Sequence, residues 1–130
     1  MKLEDTVLEK DYYKIALVGL KPDKCDIIKG PEEEKRLADI LLDDYHISRY
    51  EKMVQLVVKE EIEESYHNSC FQIFSLKYLQ QAFEEGKAHV TCSYLRKVNG
   101  EMQMVSTSIY PRKFGEDGGL EEFMIYVSKK

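Results

Sequence analysis

From Ala88 onward the chain gives up helical spacing for alternation, and that change constrains its fold more than any other feature. Ala88 to Lys97, Glu101 to Lys113 and Leu120 to Ser128 read as three β-strands, joined by Val98-Asn99-Gly100 and by Gly115-Glu116-Asp117-Gly118-Gly119. Together they make an antiparallel meander. In the first of them Val90, Cys92 and Tyr94 alternate with His89, Thr91 and Ser93, so one face of that strand is expected to be buried.

The earlier part of the chain divides by the same criteria. Met1 to Asp11 places Leu3, Val7 and Leu8 on one side of a short lead-in helix, able to pack on the domain or to pair with a copy of itself. Tyr12 to Leu20 is rich in β-branched and aromatic residues, Lys21-Pro22-Asp23-Lys24 supplies a turn, and Cys25 to Lys29 resumes the extended pattern, so a β-hairpin is expected. Gly30-Pro31 breaks it. Glu32, Glu33 and Glu34 then suit a helix N-terminus by offsetting its dipole, and Leu37, Ile40 and Leu41 follow on that helix. Ser48 is placed to cap a second helix, on which Tyr50, Met53, Val54, Val57 and Val58 recur at spacings of three and four. Ser75 is placed to cap a further helix bearing Leu76, Leu79, Ala82 and Phe83 on one face, with Gly86 at its end. Strands clustered at the two ends of the chain, with helices between, predict an α+β fold rather than a parallel βαβ sheet.

Bulk properties bound the function. The 130 residues suit one domain, read here as residues 12–130 preceded by the lead-in helix over 1–11. A net charge of −5 with no basic run gives nucleic acid little electrostatic purchase, so none is expected as a partner. No apolar run reaches the roughly 20 residues needed to span a bilayer, and the start of the chain lacks the apolar core of a signal peptide, which predicts a cytoplasmic protein without a membrane segment. Cys25, Cys70 and Cys92 are odd in number and widely spaced, as expected of buried free thiols rather than a disulfide framework or zinc site.

Several segments carry a family likeness. Asp11-Tyr12-Tyr13 with Val18-Gly19-Leu20, Val57-Val58 before an acidic helix, Phe74-Ser75-Leu76 at a helix start, and Tyr94-Leu95-Arg96-Lys97 with Asn99-Gly100 at the central hairpin resemble a PAS sensory domain. The variety most similar is the input module of bacterial GGDEF (diguanylate cyclase) signalling proteins. The likeness covers about residues 11 to 128. It departs at Lys59-Glu60-Glu61, where such domains often have Pro-Glu-Asp, and at Met102 and Met104, where a Trp is common. The resemblance implies a five-stranded antiparallel sheet with helices packed on one face, and a sensory role without catalysis.

Motifs that would indicate chemistry are weak. Asn68-Ser69-Cys70-Phe71-Gln72 is similar to the cysteine stretch of flavin-binding PAS relatives, but an inserted residue would swing the thiol around the helix. Gly118-Gly119-Leu120-Glu121-Glu122-Phe123 echoes GGDEF with a leucine breaking it. His46, His67 and His89 have no metal-ligand spacing, and the runs Glu32 to Glu34 and Glu60 to Glu64 read as solvated helix faces. No cofactor and no metal are therefore expected. The reading is a regulatory module that binds an unknown small molecule or signals through homodimer geometry, with any output domain outside this chain. A pocket between sheet and helices is expected to draw on Leu56, Leu79, Tyr94, Met102, Met104 and Tyr126, with Leu3, Val7 and Leu8 as dimer or relay positions. The alternatives are a dimerisation module without ligand, or a small α+β enzyme of isomerase type using a buried Asp26 or Asp117 beside a tyrosine.

Overall fold

Alternating β-branched and aromatic residues form strands because their branched side chains pack on a pleated surface, and the five such runs of this chain join in one antiparallel sheet. The structure, a computed structural model, describes residues 12–40 and 48–130, and for 37–40 the backbone alone. The lead-in helix over 1–11, with Leu3, Val7 and Leu8, lies outside the described residues, as do Leu41 and His46. Strands β1 (Lys14–Leu20) and β2 (Asp23–Lys29) make the first hairpin. Helices α1 (Glu32–Ile40), α2 (Arg49–Glu61), α3 (His67–Ile73) and α4 (Leu76–Glu84) follow, with a 3-10 turn at Glu64–Tyr66 before α3. Strands β3 (Val90–Val98), β4 (Glu101–Phe114) and β5 (Leu120–Lys129) complete the meander. The spatial order is β2-β1-β5-β4-β3, so the first hairpin joins the later meander where β1 pairs with β5.

Local chemistry sets the turns and caps. Asn99 (φ 54°) and Gly100 (φ 84°) both sit in the left-handed region, the two-residue geometry whose twist matches that of the flanking strands. Ser48 Oγ accepts from the Glu51 amide and the Glu51 carboxylate accepts from the Ser48 amide, a reciprocal capping box that starts α2. Asp23 also accepts from the Arg49 amide with both carboxylate oxygens, which ties that helix start to β2. Ser75 caps α4, and Gly86 (φ 100°) closes it.

Paired registers divide the sheet into two faces. Lys14, Ala16 and Val18 on β1 meet Val127, Ile125 and Phe123 on β5, and these face the helices together with Val105, Thr107 and Ile109 of β4. On β3 the same face carries Val90, Cys92, Tyr94, Arg96 and Val98. Helix α2 covers β2 with Tyr50, Met53 and Val58 buried, and α4 closes the far end with Leu79, Ala82 and Phe83. After α2 the chain runs beside β3, where Ile62 bridges Arg96 and the Glu63 amide donates to the Leu95 carbonyl. The opposite face of the sheet carries Ile15, Leu17, Met102, Met104, Tyr110, Met124 and Tyr126.

Candidate ligand site

The inner face of the sheet and the apolar stripe of α2 do not close completely. Between them lies a cavity of about 50 Å³, lined on the helix side by Tyr50, Met53, Val54, Val57 and Val58 and on the sheet side by Ala16, Cys25, Ile27, Tyr94, Thr107, Ile125 and Val127. Ile62 and Phe74 complete its apolar wall, and Lys14 and Arg96 supply its charged end. A second, polar cleft of about 330 Å³ opens on the other side of Arg96, between Tyr13, Pro31, Glu33, Glu34, Glu61, Lys97, Asn99 and Gly100.

A buried ion cluster separates the two spaces. Lys14 Nζ donates to Glu34 Oε1 at 2.6 Å, and Arg96 Nη2 donates to Glu34 Oε2 at 3.1 Å. Arg96 Nε donates to the Lys97 carbonyl at 3.0 Å, and the guanidinium stacks 5.1 Å from the Tyr13 ring centroid. Arg96 is only 1% exposed, and Lys14 and Glu34 are also buried. Burial alone would raise the Glu34 carboxyl, but the charges of Lys14 and Arg96 and the hydrogen bonds they donate outweigh it and hold the group below its ordinary 4.5.

The remaining polar groups near the cavity are satisfied and neutral. Tyr50 donates its hydroxyl to the Phe74 carbonyl at 2.6 Å, and the Tyr94 hydroxyl pairs with Thr107 Oγ1 at 2.7 Å. Burial pushes both phenols above the ordinary tyrosine range. It also pushes the thiols of Cys25 and Cys70 up to about 11 and that of Cys92 up to about 12, so none is a thiolate near neutral pH.

The residues expected to line a pocket separate in space. Tyr94 lines the cavity. Leu79 is fully buried in α4 and Leu56 half-buried on α2, and neither reaches the cavity wall. Met102 (47% exposed), Met104 and Tyr126 lie on the opposite face of the sheet, because Tyr126 is out of phase with Val127 and the two methionines with Val105 and Thr107. Asp26 is exposed on β2 and Asp117 caps a turn by accepting from the Gly119 amide, so neither sits in a cavity. His67 Nε2 lies 2.7 Å from the Ile62 carbonyl, and His89 stacks on Tyr110. Among the described residues no three His, Cys, Asp or Glu side chains gather as metal ligands.

The sequence reading missed Lys14, Glu34, Arg96 and Thr107. The signal was present: Arg96 continues the two-residue alternation of Val90, Cys92 and Tyr94, and Lys14 is in phase with Ala16 and Val18. Glu34 had no such signal, since in a run of three acids nothing distinguishes the one that turns inward.

Comparison with protein-family models finds no match, and comparison with curated proteins finds none. Solved structures do resemble the chain. A sensory box histidine kinase/response regulator from Burkholderia thailandensis superposes with a TM-score of 0.54 at 9% identity, covering 98% of this chain and 84% of that one. The N-terminal domain of a diguanylate cyclase with PAS/PAC sensor from Marinobacter aquaeolei gives 0.51 at 11% identity, covering 89% and 93%. At such identities the likeness is one of fold, and the fold of this chain is the PAS fold.

Proposed function

We propose that this chain is a non-catalytic sensory module of a bacterial signalling protein, working in the cytoplasm and reading a small molecule through the cavity under α2. The observation that carries the reading is the cavity itself, a space with a mostly hydrocarbon lining, built into a fold shared with a sensory box histidine kinase/response regulator and with the N-terminal domain of a diguanylate cyclase with PAS/PAC sensor. Neutral thiols and phenols with satisfied hydroxyls favour binding over nucleophilic or acid–base chemistry. Occupancy would act as a population shift, favouring one packing of α2 on the sheet and transmitting it through the segment that bears Leu3, Val7 and Leu8. Native mass spectrometry of gently purified protein against its denatured mass is the test. A reproducible extra mass that disappears on denaturation supports the reading, and its absence from protein purified under several growth conditions counts against it.

A second reading rests on the outer face of the sheet. Tyr12, Tyr126, Tyr110 and His89 form a continuous line of ring contacts at 5.0, 5.9 and 5.3 Å, flanked by exposed Met102 and Met104. Such a surface suits homodimerisation, with signalling through dimer geometry rather than a ligand. A clean dimer with no added mass in the same experiment selects this reading.

A further inference from the structure

Tyr94 on β3 and Thr107 on β4 lie diagonally across the two strands in the cavity wall, and their hydroxyls pair at 2.7 Å. Both residues are buried, at 3% and 1% exposure. Two hydroxyls carry two hydrogens, and the bond between them uses one. Whichever oxygen donates, the other keeps its hydrogen, and among the described residues neither hydroxyl bonds any further group. Each oxygen thus has its partner while one O–H is left to donate. Tyr50, also in the wall, spends its hydrogen on the Phe74 carbonyl. Charge is not on offer, because Lys14 Nζ and Arg96 Nη2 both turn to Glu34, which lines the cleft beyond. Most of the remaining wall, including Ala16, Val54, Val57 and Ile125, is hydrocarbon. A buried O–H in such surroundings is costly until an acceptor meets it.

We propose that the cavity takes an uncharged molecule of about two or three heavy atoms with one acceptor, such as a short ether or carbonyl compound, whose oxygen accepts the hydrogen left over by Tyr94 and Thr107. The proposal rests on the sensory reading above and specifies its ligand class. The size follows from the space, about 50 Å³ against the roughly 150 Å³ that admits a benzene ring. A guest without an acceptor would leave the O–H stranded in hydrocarbon. A charged guest would give up its hydration for a wall whose cations already hold a carboxylate.

Dimethyl ether and propane are close in shape and differ by one acceptor oxygen. Each is titrated into the full chain and followed by methyl NMR of Val57, Ile125 and Val127, which line the cavity. Dimethyl ether is expected to shift these methyls saturably. The ratio of ether to propane affinity is then compared between the parent and Tyr94→Phe/Thr107→Val, which removes both hydroxyls together. That ratio should fall about tenfold or more in the double variant. Tyr94→Phe alone leaves the Thr107 hydrogen without an acceptor, and Thr107→Val alone leaves that of Tyr94, so each single variant should keep the parent ratio. Tyr94→Phe/Thr107→Ala serves as the second double variant, and the methyl dispersion of each unliganded variant reports whether it is folded. An unchanged ratio in a folded double variant would overturn the proposal, as would a ratio lost in a folded single one. The lack of any saturable shift with dimethyl ether, as for a cavity that holds water alone, would overturn it too. An extra mass in the native measurement without ether binding would keep the sensory reading and sink this ligand class.

Discussion

Among the described residues Glu34 is the carboxylate that bonds both buried cations, Lys14 and Arg96, so the three members of that cluster are not equivalent. Glu34→Gln leaves Lys14 and Arg96 without their shared ion-pair partner and is expected to destabilise the fold by ~3–5 kcal/mol in urea denaturation. Lys14→Met leaves a balanced pair and is expected to stay within ~1 kcal/mol of the parent or exceed it. The pH dependence follows from the direction of the Glu34 shift. Its folded-state pKa is lowered, so its stabilisation is fully present above the ordinary value near 4.5 and is lost as pH falls through the lower folded value. The parent should therefore lose more stability than Glu34→Gln on acidification below about 4.5. Tyr50 makes a different point at the same scale. Tyr50→Phe preserves ring packing against Phe123 but strands the buried Phe74 carbonyl, and ~1–3 kcal/mol of lost stability in the same assay is expected.

Each element has its boundary written in a few residues, which is why most boundaries were legible. The run read as Ala88 to Lys97 forms β3 from Val90 to Val98, two residues later at its start and one at its end, and Asn99-Gly100 separates it from β4 at Glu101 as expected. Gly100 sits at φ 84° with open space around its Cα, so Gly100→Ala meets backbone strain and no clash. It should cost roughly 1–2 kcal/mol, with the β3–β4 amides showing faster hydrogen exchange. Ser48→Ala removes the capping box of α2 but leaves Asp23 on the Arg49 amide. A loss of ~1 kcal/mol is expected, with a larger one when Asp23→Ala is added, measured by chemical denaturation. The length of β4 has a sequence cause as well. Beyond Ile109 it has outrun β3, so Pro111, which has no N–H to donate, lies where β4 is paired on the β5 side alone.

The whole molecule is a sheet with two unlike faces, and the outer one makes a prediction of its own. If homodimerisation uses the line of rings from Tyr12 to His89, Tyr110→Lys should weaken concentration-dependent association in sedimentation velocity. Its effect on monomer stability should stay at about 1 kcal/mol, because Tyr110 is 42% exposed and gives up its ring contacts with His89 and Tyr126. At this scale the α+β class and the antiparallel meander follow from periodicity alone. So do the caps at Ser48 and Ser75, because turn and cap chemistry is local and alternation repeats at every second residue. What lines the cavity did not follow. Met102, Met104 and Tyr94 are similar in apolar character and near in sequence, yet the register across Asn99-Gly100 sends the tyrosine inward and the methionines outward. Glu34 and Arg96 stand 62 residues apart and meet only because α1 folds back over the start of β1 and the end of β3. Sequence by itself determined which residues alternate and where each run stops. Only tertiary structure decided which of two faces is buried and which distant charges share it, because burial is a property of what packs opposite and no local pattern records it.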